Sequence, residues 1–243
     1  MVPERMTTAA GARSRHHSGP PSSMPRIDYV APPDEGFAPL YMDESLVVVC
    51  KPEGLLSVPG RGDDRQDCLI ARVQQHVPDA LIVHRLDMAT SGLMVLARGE
   101  SVHRQLSKQF QDRLVDKRYE AVLSGLLPDD EGMVDLPLIT DWPNRPLQKV
   151  CAETGKPSQT RYWVLRRDNE KGQTRVSLEP VTGRSHQLRV HMLALGCPIV
   201  GDPFYGHAES QSGAPRLLLH AAQLALTHPL SGARMCWHSA APF

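Results

Sequence analysis

The chain divides its apolar residues into short runs, and this limits what it can fold into. "SLVVVCK" (45–51) and "GLMVLAR" (92–98) are apolar enough for buried strands. "KRYEAVLSG" (117–125) alternates, with Tyr119, Ala121 and Leu123 on one face. "QTRYWVLRR" (159–167) and "QTRVSLEPV" (173–181) are joined only by "DNEKG", the text of a hairpin loop. "RLLLHAAQLAL" (216–226) and "ARMCWHS" (233–239) are expected as late strands. Helical text is scarcer. It covers "CLIARVQQHV" (68–77), "SVHRQLSKQFQDRL" (101–114) and "HQLRVHMLALG" (186–196), which stops at a glycine. In the second of these, Val102, Leu106, Phe110 and Leu114 fall at helical spacing, with Ser101 as the expected cap. Strands outnumber helices, and hairpins outnumber β-α-β crossovers. The expected class is α+β: a mixed, largely antiparallel sheet with flanking helices.

Residues 1–36 are rich in Pro, Ser, Gly, Ala and Arg, so a flexible polar tail is expected there, with one globular domain over 37–243. A transit peptide would suit the four arginines among the first 26 residues, but no amphipathic helix accompanies them. No apolar run approaches the roughly 18 residues a membrane span needs, and no secretory signal is expected. The five cysteines, Cys50, Cys68, Cys151, Cys197 and Cys236, form no C-x-x-C pair. Neither a disulfide framework nor a zinc knuckle is suggested, and a cytoplasmic setting is the expectation.

The formal charge of zero hides a pattern. Residues 84–118 carry a net +3, residues 141–191 a net +5, and the remainder a net −8. If the two basic segments meet in space they make a face suited to a polyanion such as RNA. If they do not, they are ordinary surface charge.

In "HRLDMATSGLMVLAR" (84–98) a carboxylate, Asp87, stands at the mouth of a buried strand. An aspartate there is commonly a turn residue that binds local N–H groups. It can equally be a nucleophile or general base held by a rigid element, with Thr90, Ser91 and Gly92 beside it. In "VTGRSHQLRVH" (181–191), Arg189 falls in the first turn of a helix, where the macrodipole disfavours a cation. It is either exposed or paired with a buried carboxylate. His186 and His191 lie five apart with no glutamate after His186, which argues against a zinc pair. Tyr119 is either a core tyrosine or a stacking platform for a base. No phosphate-binding glycine loop and no Gly-x-Ser-x-Gly elbow occur.

Taken together, "KPEGLLSVPG" (51–60), "HRLDMATSG" (84–92), "KRYEAV" (117–122), "GRSHQLRVHM" (183–192), "GDPFYG" (201–206) and "RLLLHA" (216–221) resemble the motifs of the RluA-type pseudouridine synthases, in the same order. The resemblance spans roughly 37–240 and implies an isomerase that converts uridine in RNA to pseudouridine, with no cofactor and no metal. Segment 134–157 is similar to that of the family's dual-specificity member, which implies 23S rRNA and a tRNA anticodon stem-loop as substrates, and no S4 domain. By the same resemblance Asp87 is the essential aspartate, Arg189 its basic partner favouring the ionised form, and Tyr119 the ring on the flipped base. Arg85 enters the RNA stack when the base leaves it. Leu219 is a wall of the pocket, and His84 and Thr90 fall among the RNA-contacting positions. No obligate protein partner is expected, so a monomer is. The competing readings are a synthase of the same family for another RNA site, a non-catalytic RNA-binding module, and a metal-dependent hydrolase.

Overall fold

The structure is a computed structural model and describes residues 29–243; the expected tail lies outside the described residues as far as residue 28. The elements are β1 (Tyr41–Met42), β2 (Leu46–Lys51), α1 (Leu69–Gln74), β3 (Ala80–Ile82), β4 (Ser91–Arg98), α2 (Gly99–Gln111), β5 (Asp116–Ser124), β6 (Glu131–Asp135), β7 (Leu138–Thr140), β8 (Gln148–Val150), β9 (Gln159–Asp168), β10 (Gln173–Pro180), α3 (Gln187–Ala194), α4 (Ala208–Ser212), β11 (Leu219–Thr227) and β12 (Arg234–His238). Ten strands form one sheet in the order β1-β2-β4-β11-β5-β10-β9-β6, with β3 added on β4 and β12 on β11. All pairings are antiparallel except β4 with β11. The α+β class is therefore observed, and the 159–181 hairpin forms with Asp168 opposite Gln173. β7 and β8 make a separate two-stranded ribbon. Among the described residues no helix is long and apolar enough to cross a membrane.

The β2–β4 half of the sheet is covered on both faces, as its unbroken apolar runs require. Val47, Val49, Met94 and Leu96 pack with Leu69, Ile70 and Val73 of α1. Leu46, Val48, Leu93 and Val95 pack with Val102 and Leu106 of α2 on the other side. The β5–β10–β9 half is covered by α3 through Leu188 and Met192, which explains why those strands alternate. Tyr119 touches both the α1 cluster and the α3 cluster. The two halves thus meet around β4, β11 and β5, and a cleft opens there between the C-terminal end of α2 and the start of α3.

The expected bounds of α2 need correction. Gly99, at φ 74°, turns β4 directly into the helix, so Ser101 lies inside it and caps nothing. The helix ends at Gln111, and Arg113 takes φ 60°, which leaves Leu114 beyond the apolar face and 56% exposed. At the cleft, Gly92 (φ 116°) lies against the backbone of Ala221, where a Cβ would come within 2.4 Å of the carbonyl oxygen. Only glycine lets β4 and β11 approach this closely, and that approach brings the loop before β4 beside Leu219 and Tyr119.

Candidate active site

The loop between β3 and β4 carries Asp87, and it is anchored from below. Lys51 ends an otherwise apolar strand, is fully buried, and donates through Nζ to the carbonyl oxygens of Pro52 (2.8 Å), Leu55 (2.7 Å) and Met88 (3.0 Å). Gly54 N–H also donates to Met88 O. Burial pushes the Lys51 ammonium down to about 7, and the neighbouring Asp87 and Glu53 oppose that shift. Inside the loop, Thr90 N–H donates to Asp87 O at 3.1 Å, so Asp87 starts a tight turn while its side chain stays partly open. Its two sequence roles, turn residue and site carboxylate, are thus compatible.

α3 supplies the cation. Arg189 is 2% exposed and is held mainly by Asp202, itself fully buried. Nε donates to Asp202 Oδ2 at 2.8 Å and Nη2 to Oδ1 at 2.6 Å; Nη1 is left for Asp87 Oδ2 at 3.4 Å. Arg189 does pair with a buried carboxylate, as a cation in the first turn of a helix requires, but the tighter partner is Asp202. Burial lowers the Arg189 pKa, but Asp202 and Asp87 outweigh it and raise the guanidinium above its usual value, so it is permanently charged. Asp202 also accepts from the N–H groups of Phe204 and Tyr205, which fixes both rings beside the guanidinium at 5.1 Å.

All seven residues singled out in the sequence, His84, Arg85, Asp87, Thr90, Tyr119, Arg189 and Leu219, line one cavity of about 580 Å³. Their placements differ. Arg85 is exposed at the mouth, whereas Thr90 and Leu219 are buried in the wall. Tyr119 is half-buried, and burial pushes its phenol above the ordinary range, so it presents a neutral ring. His84 turns part of its surface away from the cavity. It stacks on Phe110 at 4.5 Å and accepts Val95 N–H through Nε2, and burial with Lys117 nearby takes it down to about 3. It is a neutral brace between the loop and β4.

The two basic segments do meet here. Arg85 and Arg113 come from the first, and Arg184 from the second; all three are exposed at the cavity, and none makes an ion pair among the described residues. The acids at the cavity are matched: Asp87 by Arg189, Asp116 by Arg234, and Glu179 by Arg118 and Arg161. The free charge at the mouth is therefore positive, which suits an anionic backbone. Among the described residues no group of three or more His, Cys, Asp or Glu side chains is placed to hold a metal ion.

Sequence reasoning missed Lys51, Asp202 and Tyr205, and considered His186 only as a metal ligand. The signal for Lys51 was present, because a charge at the end of a buried run must find partners in the core. Asp202 and Tyr205 lay in "GDPFYG", but nothing in the spacing says that this turn folds back onto α3.

Comparison with known proteins gives a consistent family. A family model described as RNA pseudouridylate synthase matches residues 45–194. The dual-specificity RNA pseudouridine synthase RluA of Yersinia pestis is 56% identical over 204 residues, covering 84% of this chain and 98% of that protein. Its counterpart in Escherichia coli strain K12 is 52% identical over 218 residues, covering 89% and 98%. Among solved structures, human RNA pseudouridylate synthase domain containing 1 superposes with a TM-score of 0.71 at 27% identity, covering 86% of each chain. Human RNA pseudouridylate synthase domain containing 4 gives 0.67 at 26%, covering 84% of this chain and 88% of that one.

Proposed function

We propose, because the chain belongs to the RNA pseudouridylate synthase family, that Asp87 is the carboxylate through which this isomerase acts on a uridine flipped into its cavity. The observation that carries this reading is the pairing of a half-open carboxylate with a buried, doubly anchored guanidinium in the cavity. The isomerisation breaks the N1–C1′ bond, makes a C5–C1′ bond, and moves a proton from C5 to solvent while N1 gains one. Nothing is oxidised or reduced, so the chemistry asks for a nucleophile or base, a fixed base-binding surface and exclusion of water.

The remaining roles follow from position. Arg85, exposed and unpaired at the mouth, fills the gap in the RNA stack when the target leaves it. The Tyr119 ring packs on the uracil, and Leu219 closes the pocket behind it. Thr90 shapes the loop through its N–H, and His84 supports it from the side of β4. Arg113 and Arg184 hold the phosphate backbone. The substrates in this reading are 23S rRNA and a tRNA anticodon stem-loop, supported by the dual specificity in the names of relatives above 50% identity. A cytoplasmic setting and action as a monomer accompany it.

Asp87→Asn tests the reading. It keeps the shape and removes the charge, so tritium release from RNA carrying 5-tritiated uridine is expected to fall below detection while RNA affinity stays within a few-fold. A rate near wild type would reject Asp87 as the reacting group. A pseudouridine map of cellular RNA with and without the protein names the sites; sites in only one RNA class would remove the dual specificity.

A further inference from the structure

His186 precedes α3 in a conformation that side chains avoid: φ 54° and ψ 16° in the left-handed region. Such a backbone persists only where the surroundings dictate it. The surroundings here are specific. Nδ1 lies 2.7 Å from the Tyr205 hydroxyl, and the ring faces Phe204 at 5.8 Å. The Tyr205 hydroxyl already accepts Gln148 N–H at 2.8 Å, so its own proton is available to donate, and Nδ1 is the acceptor within reach. The imidazole proton then sits on Nε2. Burial, with Arg189 and Arg85 adding to it, holds the ring below its ordinary pKa against the opposing pull of Asp87 and Asp202, so the ring is neutral at pH 7.

Nε2 faces Asp87 Oδ2 at 3.8 Å, the same oxygen that Arg189 Nη1 approaches at 3.4 Å. Oδ1 has no hydrogen-bond partner among the described residues. We propose that His186, fixed as its Nε2–H tautomer by Tyr205, is a positioning residue that with Arg189 anchors Asp87 through Oδ2 and leaves Oδ1 as the oxygen that meets the target nucleotide. This rests on the reading of Asp87 as the reacting carboxylate. Arg189 Nη1 already reaches that oxygen within hydrogen-bond distance, and His186 Nε2 stands 3.8 Å from it, beyond one; drawn onto the same oxygen, the two donors orient the carboxylate. Catalytic hydrogen bonds of this kind commonly tighten in the substrate complex. Because Tyr205 also holds β8 through Gln148, the same chain ties the β7–β8 ribbon to the reacting group.

The test uses the full chain under single-turnover conditions, with tritium release from a 5-tritiated uridine stem-loop as the rate and filter binding as the affinity. His186→Ala is expected to slow turnover at least tenfold with RNA affinity within twofold. His186→Gln, whose amide N–H can replace Nε2–H, is expected to recover most of the rate. Tyr205→Phe, which frees the tautomer, is expected to fall between. Circular dichroism on each variant establishes that it is folded. A folded His186→Ala or Tyr205→Phe within twofold of the wild-type rate overturns the inference, as does a His186→Gln no faster than His186→Ala. Asp87→Asn in the same assay separates the two levels. If it is active, the underlying reading fails; if it is dead while His186→Ala turns over normally, only the positioning role fails.

Discussion

Substituting Asp202→Asn isolates the energetics of the buried charge pair. The side chain keeps its shape and an oxygen for the N–H groups of Phe204 and Tyr205, but loses its charge. Arg189, 2% exposed, then has only Asp87 at 3.4 Å to balance it. Breaking a buried ion pair by removing one partner costs about 3–5 kcal/mol. The remaining charge on Asp87 places this case near the lower end, about 3 kcal/mol. For a chain of this size each kcal/mol moves Tm by about 2–4 °C, so a fall of about 6–12 °C is expected in thermal unfolding followed by circular dichroism. The double variant Arg189→Met/Asp202→Asn removes both buried charges and leaves an apolar contact for Phe204 and Tyr205. It is expected to be more stable than Asp202→Asn alone, because replacing a whole buried pair is often neutral. A Tm for Asp202→Asn within 2 °C of wild type, or a double variant less stable than the single one, would refute the argument that Arg189 depends on Asp202.

Two further predictions concern the loop and its mouth. Arg85→Ala is expected to slow turnover on a folded stem-loop about tenfold or more, and to matter far less when the target uridine is already unpaired and unstacked; equal loss on both substrates would remove the flipping role. Lys51 has a folded-state pKa near 7 against an ordinary value of 10.5. Between those values the unfolded chain holds the proton and the folded chain releases it, so this group adds stability as pH rises and loses it as pH falls through 7. The stability advantage of wild type over Lys51→Met, from urea unfolding, is therefore expected to be larger at pH 9 than at pH 6.5, and an equal gap at both would refute the burial argument.

Much of this protein is written in local text. Short β-branched runs, a five-residue hairpin loop and a glycine-ended helix define elements whose partners are near in sequence, so the class and most strands are legible. The candidate site residues Asp87, Tyr119 and Arg189, which share one cavity, stood out for a related reason: a polar side chain held at the edge of a rigid element leaves a local pattern. Burial was less legible at helix ends, where Gly99 started α2 before Ser101 and Arg113 stopped it before Leu114, because a single dihedral choice decides a boundary.

What the sequence determined by itself is which pieces form and which residues are candidates for the site. What only the tertiary structure decided is which of them meet. Arg189 and Asp202 are thirteen residues apart, and Asp87 lies a further hundred away, so no periodicity relates them. The two basic segments had no common face until β4, β11 and β5 came together across Gly92 and Ala221. The pairing of His186 with Tyr205 depends on a turn folding back over a helix start. For Arg189 and for His186 the physical reason is the same, since a buried charge or donor must find a partner and the chain supplies it from wherever the fold brings one close. The exposed basic segments share a face only because the sheet places them side by side.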